Sequence, residues 1–227
     1  MIFPWANGNL RDFWESVKSP NRTQDMARWM LTQCFGIADG LQKIHGNGAV
    51  PGLNQKDKNT GRHGDIKPEN ILWLERHNNS DNHLLICDFG LSRFHNYLSR
   101  SDDKLPGFSP SYRPPECDLQ RLRFSVMYDI WTLGCLLLDF LTWYLRGWKA
   151  VDEWFTDARL ADEGWVPPNQ TRSTPNLNDR LLFEDKFYER SNDGKIVSAQ
   201  LKPSVIKVRR PEIRSLFAYK LTDNSSR

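Results

Sequence analysis

The sequence predicts a mainly α-helical domain with one small β-hairpin. Two long segments, 23–45 and 125–147, place apolar residues at helical spacing. Between them, Ile71–Leu74 and Leu84–Cys87 are short apolar runs separated by polar, turn-forming residues, which is the pattern of a hairpin. The chain has 227 residues, 39% of them hydrophobic and 26% charged, which is the composition of one globular domain.

Composition argues against several classes of partner. The net charge is +3, and the longest basic run is the pair Arg209–Arg210, so no nucleic-acid partner is expected. The most apolar stretch, 126–145, contains Asp129 and Asp139, which favours a buried helix over a membrane span. Met1–Trp5 is too short for the apolar part of a signal peptide, so the cytosol or nucleus is expected. Four widely spaced cysteines predict free thiols.

The helical elements have local start signals. Residues 1–8 form a strand-like run, after which Asn9 can cap a helix reaching about Lys18. Thr23 can cap the long helix that ends near His45. The polar stretch 46–62 is expected to be a solvated loop; its glycines resemble a phosphate-binding loop, but they follow a helix instead of a strand.

The C-terminal third carries weaker signals. Residues 154–190 mix aromatic residues with prolines, asparagines and aspartates, and they predict short helices in long loops. Pro203 can open a last helix that reaches about Leu216.

The residues that indicate a chemistry lie between His63 and Gly90. Asp65 is followed by Lys67 and Asn70, and Asp88 opens an Asp-Phe-Gly triplet after the second apolar run. A hairpin would present Asn70 and Asp88 at its open end. A carboxylate can orient a hydroxyl and accept its proton, a lysine can neutralise phosphoryl charge, and amide and carboxylate oxygens suit Mg²⁺. The pattern predicts phosphoryl transfer from a metal-bound nucleotide.

The order and spacing of these groups resemble the C-terminal lobe of a eukaryotic-type protein kinase. The later segments Ser-Pro-Ser-Tyr-Arg-Pro-Pro-Glu and Asp-Ile-Trp-Thr-Leu-Gly-Cys resemble further motifs of that family. The resemblance implies these divisions of the chain: a hinge-like segment 1–8, a C-lobe-like domain 9–216 with catalytic loop 63–70, activation segment 88–116 and buried helix 125–147, and a tail 217–227.

The resemblance also implies roles for individual residues, with ATP and Mg²⁺ as cofactors. Asp65 would be the base and Lys67 would stabilise charge, while Asn70 and Asp88 would bind Mg²⁺. The remaining assignments are Phe89 and Gly90 beside the nucleotide, His63, Glu116 and Asp129 as structural support, and Ser109 and Tyr112 facing the substrate. Asp129 is expected to bind amides of the catalytic loop, and the alternative is a capping or surface residue.

The chain departs from the family pattern in three places. Gly64 replaces the arginine before the catalytic aspartate, which predicts activity independent of a phosphorylated activation segment. No glycine-rich loop or strand lysine occurs, so the N-terminal lobe is expected to be absent and half of the nucleotide site with it. The arginine that pairs with Glu116 in the family has three open candidates: Arg209, Arg210 and Arg214.

Two functions from different classes follow from the resemblance. The first is a protein kinase, truncated to its C-terminal lobe, that transfers the ATP γ-phosphoryl group to serine or threonine of a protein substrate; Lys67 is typical of that specificity. The second is an inactive, pseudokinase-like binding module or a gene fragment. A partner would then cover the surface that an N-terminal lobe normally covers. The phrases FPWANGNLRDFW and SYRPPECDL further resemble divergent kinase-like proteins of filamentous fungi.

Overall fold

The computed structural model describes residues 5–46, 59–75, 83–96, 110–119, 125–166, 184–192 and 197–208. Within these ranges the fold is mostly helical and includes three small antiparallel sheets. Ser109, the three candidate partners of Glu116 and the predicted tail lie outside the described residues.

The first helix begins at the residue that the sequence predicts. Strand β1 is Gly8–Asn9 and helix α1 is Leu10–Ser16. Asn9 Oδ1 accepts hydrogen bonds from the backbone N–H of Arg11 at 2.9 Å and of Asp12 at 3.1 Å, and Asp12 Oδ2 accepts from the Asn9 N–H at 2.9 Å. This reciprocal capping box satisfies amides at the start of the helix. The predicted cap is confirmed, and the helix ends two residues before Lys18.

Helix α2, Gln24–Ile44, also begins as predicted. Thr23 Oγ1 accepts from the Met26 N–H at 3.2 Å, which satisfies one of the free amides of the first turn. Met30, Ile37 and Leu41 are buried on one face at the three-and-four spacing of an amphipathic helix.

Helix α3, Met127–Arg146, is the central element of the core. It ends at Gly147, whose φ of +84° is a conformation that glycine adopts without strain. The indole Nε1 of Trp143 donates to the carbonyls of Trp14 at 3.1 Å and Val17 at 3.0 Å. These bonds attach α1 to α3, and Phe13, Trp14, Phe140 and Trp143 pack around them.

The predicted hairpin is present. Strands β3, Ile71–Leu74, and β4, His83–Ile86, are antiparallel, with Ile71 opposite Ile86. β4 therefore begins one residue earlier than the sequence indicates. β1 adds to β3 to give the order β1-β3-β4. Gln33 Oε1 of α2 accepts from the Leu84 N–H at 3.0 Å and holds the hairpin on the long helix.

The expectation of a solvated loop over 46–62 is wrong at its end. Strand β2, Asn59–Arg62, pairs with β5, Arg93–Asn96, and Arg62 opposes Arg93. Arg62 is 5% exposed. The pairing brings the chain before the catalytic loop against the chain after the Asp-Phe-Gly triplet, and this long-range contact has no local sequence signal.

The C-terminal part contains more regular structure than predicted. A π-helical turn, Ala150–Phe155, continues into α4, Thr156–Ala161. Strands β6, Tyr188–Asn192, and β7, Val197–Leu201, form a second antiparallel pair. β6 begins inside the stretch 154–190 that was predicted as short helices in long loops, and the sequence made no prediction for β7. Helix α5 covers 203–208 and begins at the proline, as predicted.

Two simpler expectations can be compared with the structure. All four cysteines are free, as predicted. Burial raises the pKa of Cys34 to about 12 and that of Cys117 to about 11, which disfavours the reactive thiolate form of both. Across the described ranges, no helix combines the length and apolar character required to cross a membrane.

Candidate active site

Two side chains of the catalytic loop contact the carboxylate of a third residue, Asp65. Asp65 Oδ2 lies 2.8 Å from Lys67 Nζ and accepts a hydrogen bond from Asn70 Nδ2 at 2.7 Å. The same Nδ2 donates to the Asp65 carbonyl at 2.8 Å. Asp65 is 9% exposed, so a charged form needs such partners. The arrangement fixes Oδ2 and leaves Oδ1 outside these bonds.

His63 supports the loop through both ring nitrogens. Its Nδ1 accepts from the Asp65 N–H at 3.3 Å, and its Nε2 lies 2.9 Å from the Cys87 carbonyl oxygen. One neutral tautomer satisfies both bonds, because Nδ1 then accepts while Nε2–H donates. The ring is fully buried, and its centroid lies 5.2 Å from that of Phe89 in a T-shaped arrangement. His63 thus joins the catalytic loop to the Asp-Phe-Gly segment.

Asp129 connects the loop to helix α3. Its Oδ2 accepts from the His63 N–H at 2.7 Å, and its Oδ1 accepts from the Gly64 N–H at 2.8 Å. His45 Nε2, at the end of α2, lies 2.9 Å from the same Oδ2. Asp129 is 0% exposed, so the alternative of a surface aspartate is wrong. The carboxylate ties two catalytic-loop amides and a histidine to one point of the core.

The hairpin places Asn70 and Asp88 at its open end. Beyond the Ile71–Ile86 pair, the Cys87 N–H donates to the Asn70 carbonyl at 2.9 Å. Asp88 follows with φ of +61°, and its Oδ1 accepts from the Gly90 N–H at 3.1 Å. A left-handed backbone is uncommon for a residue other than glycine, and it occurs at functional positions. Asp88 and Gly90 are exposed, and Phe89 is 51% exposed.

The donor set fits Mg²⁺ better than a softer metal. Asn70 and Asp88 offer an amide oxygen and a carboxylate, and Mg²⁺ prefers oxygen ligands, few of them from protein and the rest from phosphates and water. In the described part of the chain, no group of three or more His, Cys, Asp or Glu side chains could hold a metal ion. A metal at this end of the hairpin would therefore take its remaining ligand oxygens from water or from the phosphates of a bound nucleotide.

Gly64 occupies a position that suits glycine. Its φ is +87°, and a Cβ built on it would lie 3.0 Å from the Leu91 carbonyl oxygen. Any larger residue in this conformation would be strained and would push against the backbone after the Asp-Phe-Gly triplet. The departure from the family pattern at this position therefore accompanies a close approach of two backbone segments.

Tyr112 does not face outward, contrary to its predicted substrate-facing position. The side chain is 8% exposed, and its hydroxyl donates to Asp139 Oδ2 of α3 at 2.5 Å. Its ring packs 5.8 Å from that of Phe187. The residue packs in the core because Asp139, which is also buried, provides an acceptor there.

A buried ion cluster follows the predicted activation segment. Glu116 lies in a short 3₁₀ turn, Pro115–Cys117. Two residues on, Asp118 contacts Lys186 Nζ at 2.9 Å, Arg113 Nη2 at 2.6 Å and the Tyr188 hydroxyl at 2.5 Å. Sequence reasoning missed Asp118, because a single aspartate after a turn has no feature that distinguishes it from a solvated one.

A second buried cation lies nearby. Arg159 is 3% exposed, and its guanidinium carbon lies 4.3 Å from the ring centroids of both Phe155 and Phe187. Its Nη1 lies 3.9 Å from Asp139 Oδ1, and its Nε donates to the Asp185 carbonyl at 2.7 Å. The Ser111 hydroxyl lies 2.7 Å from both carboxylate oxygens of Asp185. The segment 110–119 is thus held by buried charges.

Comparison with known proteins finds similarity to protein kinases. The model of the protein kinase domain matches residues 7–159. Mitogen-activated protein kinase 14 of Xenopus laevis is 30% identical over 128 residues, which are 56% of this chain and 28% of the relative. Cyclin-dependent kinase G1 of Arabidopsis thaliana is 27% identical over 142 residues, 63% of this chain and 20% of the relative. Mitogen-activated protein kinase mpkC of Aspergillus oryzae is 35% identical over 109 residues, which are 47% of this chain and 25% of the relative. The chain spans about a quarter of the length of these curated relatives.

Proposed function

The chain belongs to the protein kinase family, and we propose that it transfers the ATP γ-phosphoryl group to serine or threonine hydroxyls of a protein substrate. The observation that carries the proposal is the set of contacts at Asp65, where Lys67 and Asn70 hold one oxygen at 2.8 and 2.7 Å. The same short loop supplies a base, a cation and an amide, which are the groups that phosphoryl transfer requires.

Each residue has a role that its contacts support. Asp65 Oδ1, which lies outside the two bonds at Oδ2, orients the substrate hydroxyl and accepts its proton. Lys67 is bound to Asp65 and still 24% exposed, so its ammonium can also approach phosphoryl oxygens. Serine or threonine specificity is supported by Lys67 and by the similarity to mitogen-activated and cyclin-dependent kinases.

Asn70 and Asp88 are the residues that would hold Mg²⁺. When bound, the metal neutralises phosphate charge and orients the group to be transferred. Asn70 uses its Nδ2 for Asp65, which turns Oδ1 to the remaining side. Phe89 and Gly90 follow Asp88 in the exposed turn and would border the nucleotide. Asp129 and His63 position the loop, and the proposal keeps Glu116, which lies in the 3₁₀ turn just before Asp118, as a structural residue.

The test is transfer from labelled ATP to a mixture of serine- and threonine-containing peptides, with Mg²⁺ present or removed by a chelator. Asp65→Asn keeps an oxygen acceptor for Lys67 and Asn70 but removes the base. The expected result is a loss of transfer of about 100-fold or more, with unchanged thermal unfolding. Asp25→Asn, at a side chain that is 91% exposed on α2, is the matched control and should transfer normally.

The contrary results are specific. Transfer by the Asp65→Asn variant at the wild-type rate would remove Asp65 from the chemistry. Absence of both transfer and magnesium-dependent nucleotide binding in the folded wild-type chain would overturn the enzyme proposal and favour the second one.

The second candidate is a binding module without turnover. It is supported by large apolar side chains next to the site: Phe89 and Leu85 are each 51% exposed. Exposed apolar side chains beside a site indicate contact with another surface. A partner that covers them would protect Phe89 and Leu85 from solvent. Partner capture that Leu85→Ser abolishes, in a chain that does not bind nucleotide, would establish this function.

A further inference from the structure

A cavity of about 540 Å³ lies at the far end of α3 from the catalytic loop. Its walls come from the last turns of α3, the π-helical turn, α4 and α5. Asp129 contacts the catalytic loop at the start of α3, whereas Thr142 and Arg146 line the cavity near its end. At a rise of about 1.5 Å per residue, the cavity is roughly 20 Å from the catalytic loop. It is a separate site.

The inside of the cavity is apolar, and the small size of several lining side chains leaves it open. Ala150 of the π-helical turn and Ala158 and Ala161 of α4 line it, and a leucine at any of them would occupy part of the space. Trp154 lines it too and is 55% exposed, although tryptophan is usually well buried. Trp154 lies in the π-helical turn, and such turns occur frequently at functional sites.

Polar groups at the cavity are biased toward donors. Arg146 and Lys207 line it from α3 and α5. The acid that lines it, Asp162, already accepts from the Ser204 N–H at 2.9 Å. Ser204 is only 7% exposed, and its hydroxyl has no hydrogen-bond partner among the described residues. A buried hydroxyl without a partner is costly, and rotation about one bond would turn it toward a bound acceptor.

We propose that this cavity binds a free, single-chain amphipathic carboxylate such as a medium-chain fatty acid. The aliphatic tail packs against the three alanines and Trp154, and the carboxylate lies near Arg146 and Lys207 with Ser204 as an additional donor. The volume lies within the range of roughly 300 to 1,000 Å³ that is typical of small-ligand sites. The two cations favour an anion, and the apolar walls favour a tail over a hydrophilic anion such as phosphate.

The first experiment compares two probes with the same tail and opposite head groups. The full 227-residue chain is titrated by calorimetry with decanoate and with decyltrimethylammonium, both below their micelle concentrations. Decanoate should bind at one site, and the cation should bind at least about tenfold more weakly. Equal affinity for the two probes, or no binding of decanoate, would overturn the proposal. This readout does not depend on phosphoryl transfer.

Two variants locate the site. Ala158→Leu fills the cavity and should abolish decanoate binding, and thermal unfolding shows whether the variant is folded. Lys207→Glu changes an exposed residue, so folding is retained, and decanoate affinity should fall roughly three- to tenfold. The matched control is Lys43→Glu in the last turn of α2. Tyr144, near the cavity end of α3, contacts Thr23 at the start of α2, so Lys43 lies at the end of α2 that is far from the cavity. Equal decanoate binding by Lys207→Glu and Lys43→Glu would place the probe elsewhere and refute this site.

Discussion

The carboxylate of Asp118 and the ammonium of Lys186 lie 2.9 Å apart, and each side chain is only 3% exposed. The pair joins the end of the predicted activation segment to the residues before β6. Tyr188 and Arg113 complete the surroundings of the carboxylate at 2.5 and 2.6 Å. Buried charges are stable only when their partners are all in place. Asp118 therefore anchors this part of the chain. The sequence predicted a supporting residue two positions earlier, at Glu116.

Removal of this pair should show strong coupling. Asp118→Ala removes the carboxylate shared by Lys186, Arg113 and Tyr188 and leaves Lys186 only its contact with the half-exposed Glu184, so it should lower the free energy of unfolding by about 1 to 3 kcal/mol. In a double-mutant cycle with Lys186→Met, measured by urea denaturation, the double variant should lose less unfolding free energy than the sum of the two single variants. The coupling free energy should be about 1 to 3 kcal/mol.

Arg190 provides the control for that cycle. Its Nε lies 3.9 Å from the same carboxylate, but its side chain is 55% exposed. Arg190→Met should change the free energy of unfolding by less than about 1 kcal/mol. Additive effects of Asp118→Ala and Lys186→Met would contradict the anchoring role.

Asp129 should be among the most sensitive positions of the chain. Asp129→Ala leaves the amides of His63 and Gly64 and the ring of His45 without their acceptor. Each buried donor without a partner costs about 1 to 3 kcal/mol, so the free energy of unfolding should fall by at least about 3 kcal/mol. Chemical denaturation measures it, and a loss below about 1 kcal/mol would show that the loop is held by other contacts.

Asp139 should make stability fall as the pH rises. Burial raises the pKa of its carboxyl from 3.8 to about 6 and outweighs the Arg159 guanidinium, which lies 3.9 Å away without a hydrogen bond. The folded state then binds this proton more tightly than the unfolded chain, so the contribution is favourable at low pH and is lost between about pH 4 and pH 6.

Asp139→Asn isolates that contribution. The amide oxygen can still accept from Tyr112, but the residue no longer titrates. Relative to this variant, the wild-type chain should lose about 3 kcal/mol of unfolding free energy across that window. The measurement is urea denaturation of both proteins at several pH values, and a constant difference would refute the raised pKa.

Gly64 and Gly36 should respond to alanine with opposite signs. Gly64→Ala places a Cβ 3.0 Å from the Leu91 carbonyl at φ of +87° and should destabilise by about 1 to 3 kcal/mol. Gly36 lies inside α2 with nothing within 4 Å of an added Cβ, so alanine should stabilise by about 0.5 to 1 kcal/mol. Thermal unfolding of the two variants tests the pair, and a stabilising Gly64→Ala would show that the backbone there relaxes.

The sequence predicts the elements whose signals are local. Asn9 and Thr23 are followed within three residues by the amides that they cap, and α2 and α3 keep apolar residues at helical spacing along their length. The hairpin of β3 and β4 is equally local, because two apolar runs flank one polar stretch. The order of Asp65, Lys67 and Asn70 within six residues likewise made their proximity predictable.

Features that depend on distant partners were missed. β2 and β5 lack the alternating apolar pattern of a strand and form only because they meet each other. In the sequence, no feature distinguishes Asp118, Lys186 or Arg159 from charged residues of the surface. Tyr112 was predicted outside the core because its acceptor, Asp139, comes from a helix that sequence patterns do not place beside it.

The backbone N–H groups of His63 and Gly64 donate hydrogen bonds to the Asp129 carboxylate, which is fully buried. Their exchange with deuterated solvent therefore requires α3 and the catalytic loop to separate, so these two protons report how often the loop detaches from the core. Slow exchange at both positions would mean that Asp65 is held in place for as long as the domain stays folded. A ligand that binds only while the loop is attached to α3 would slow both exchange rates.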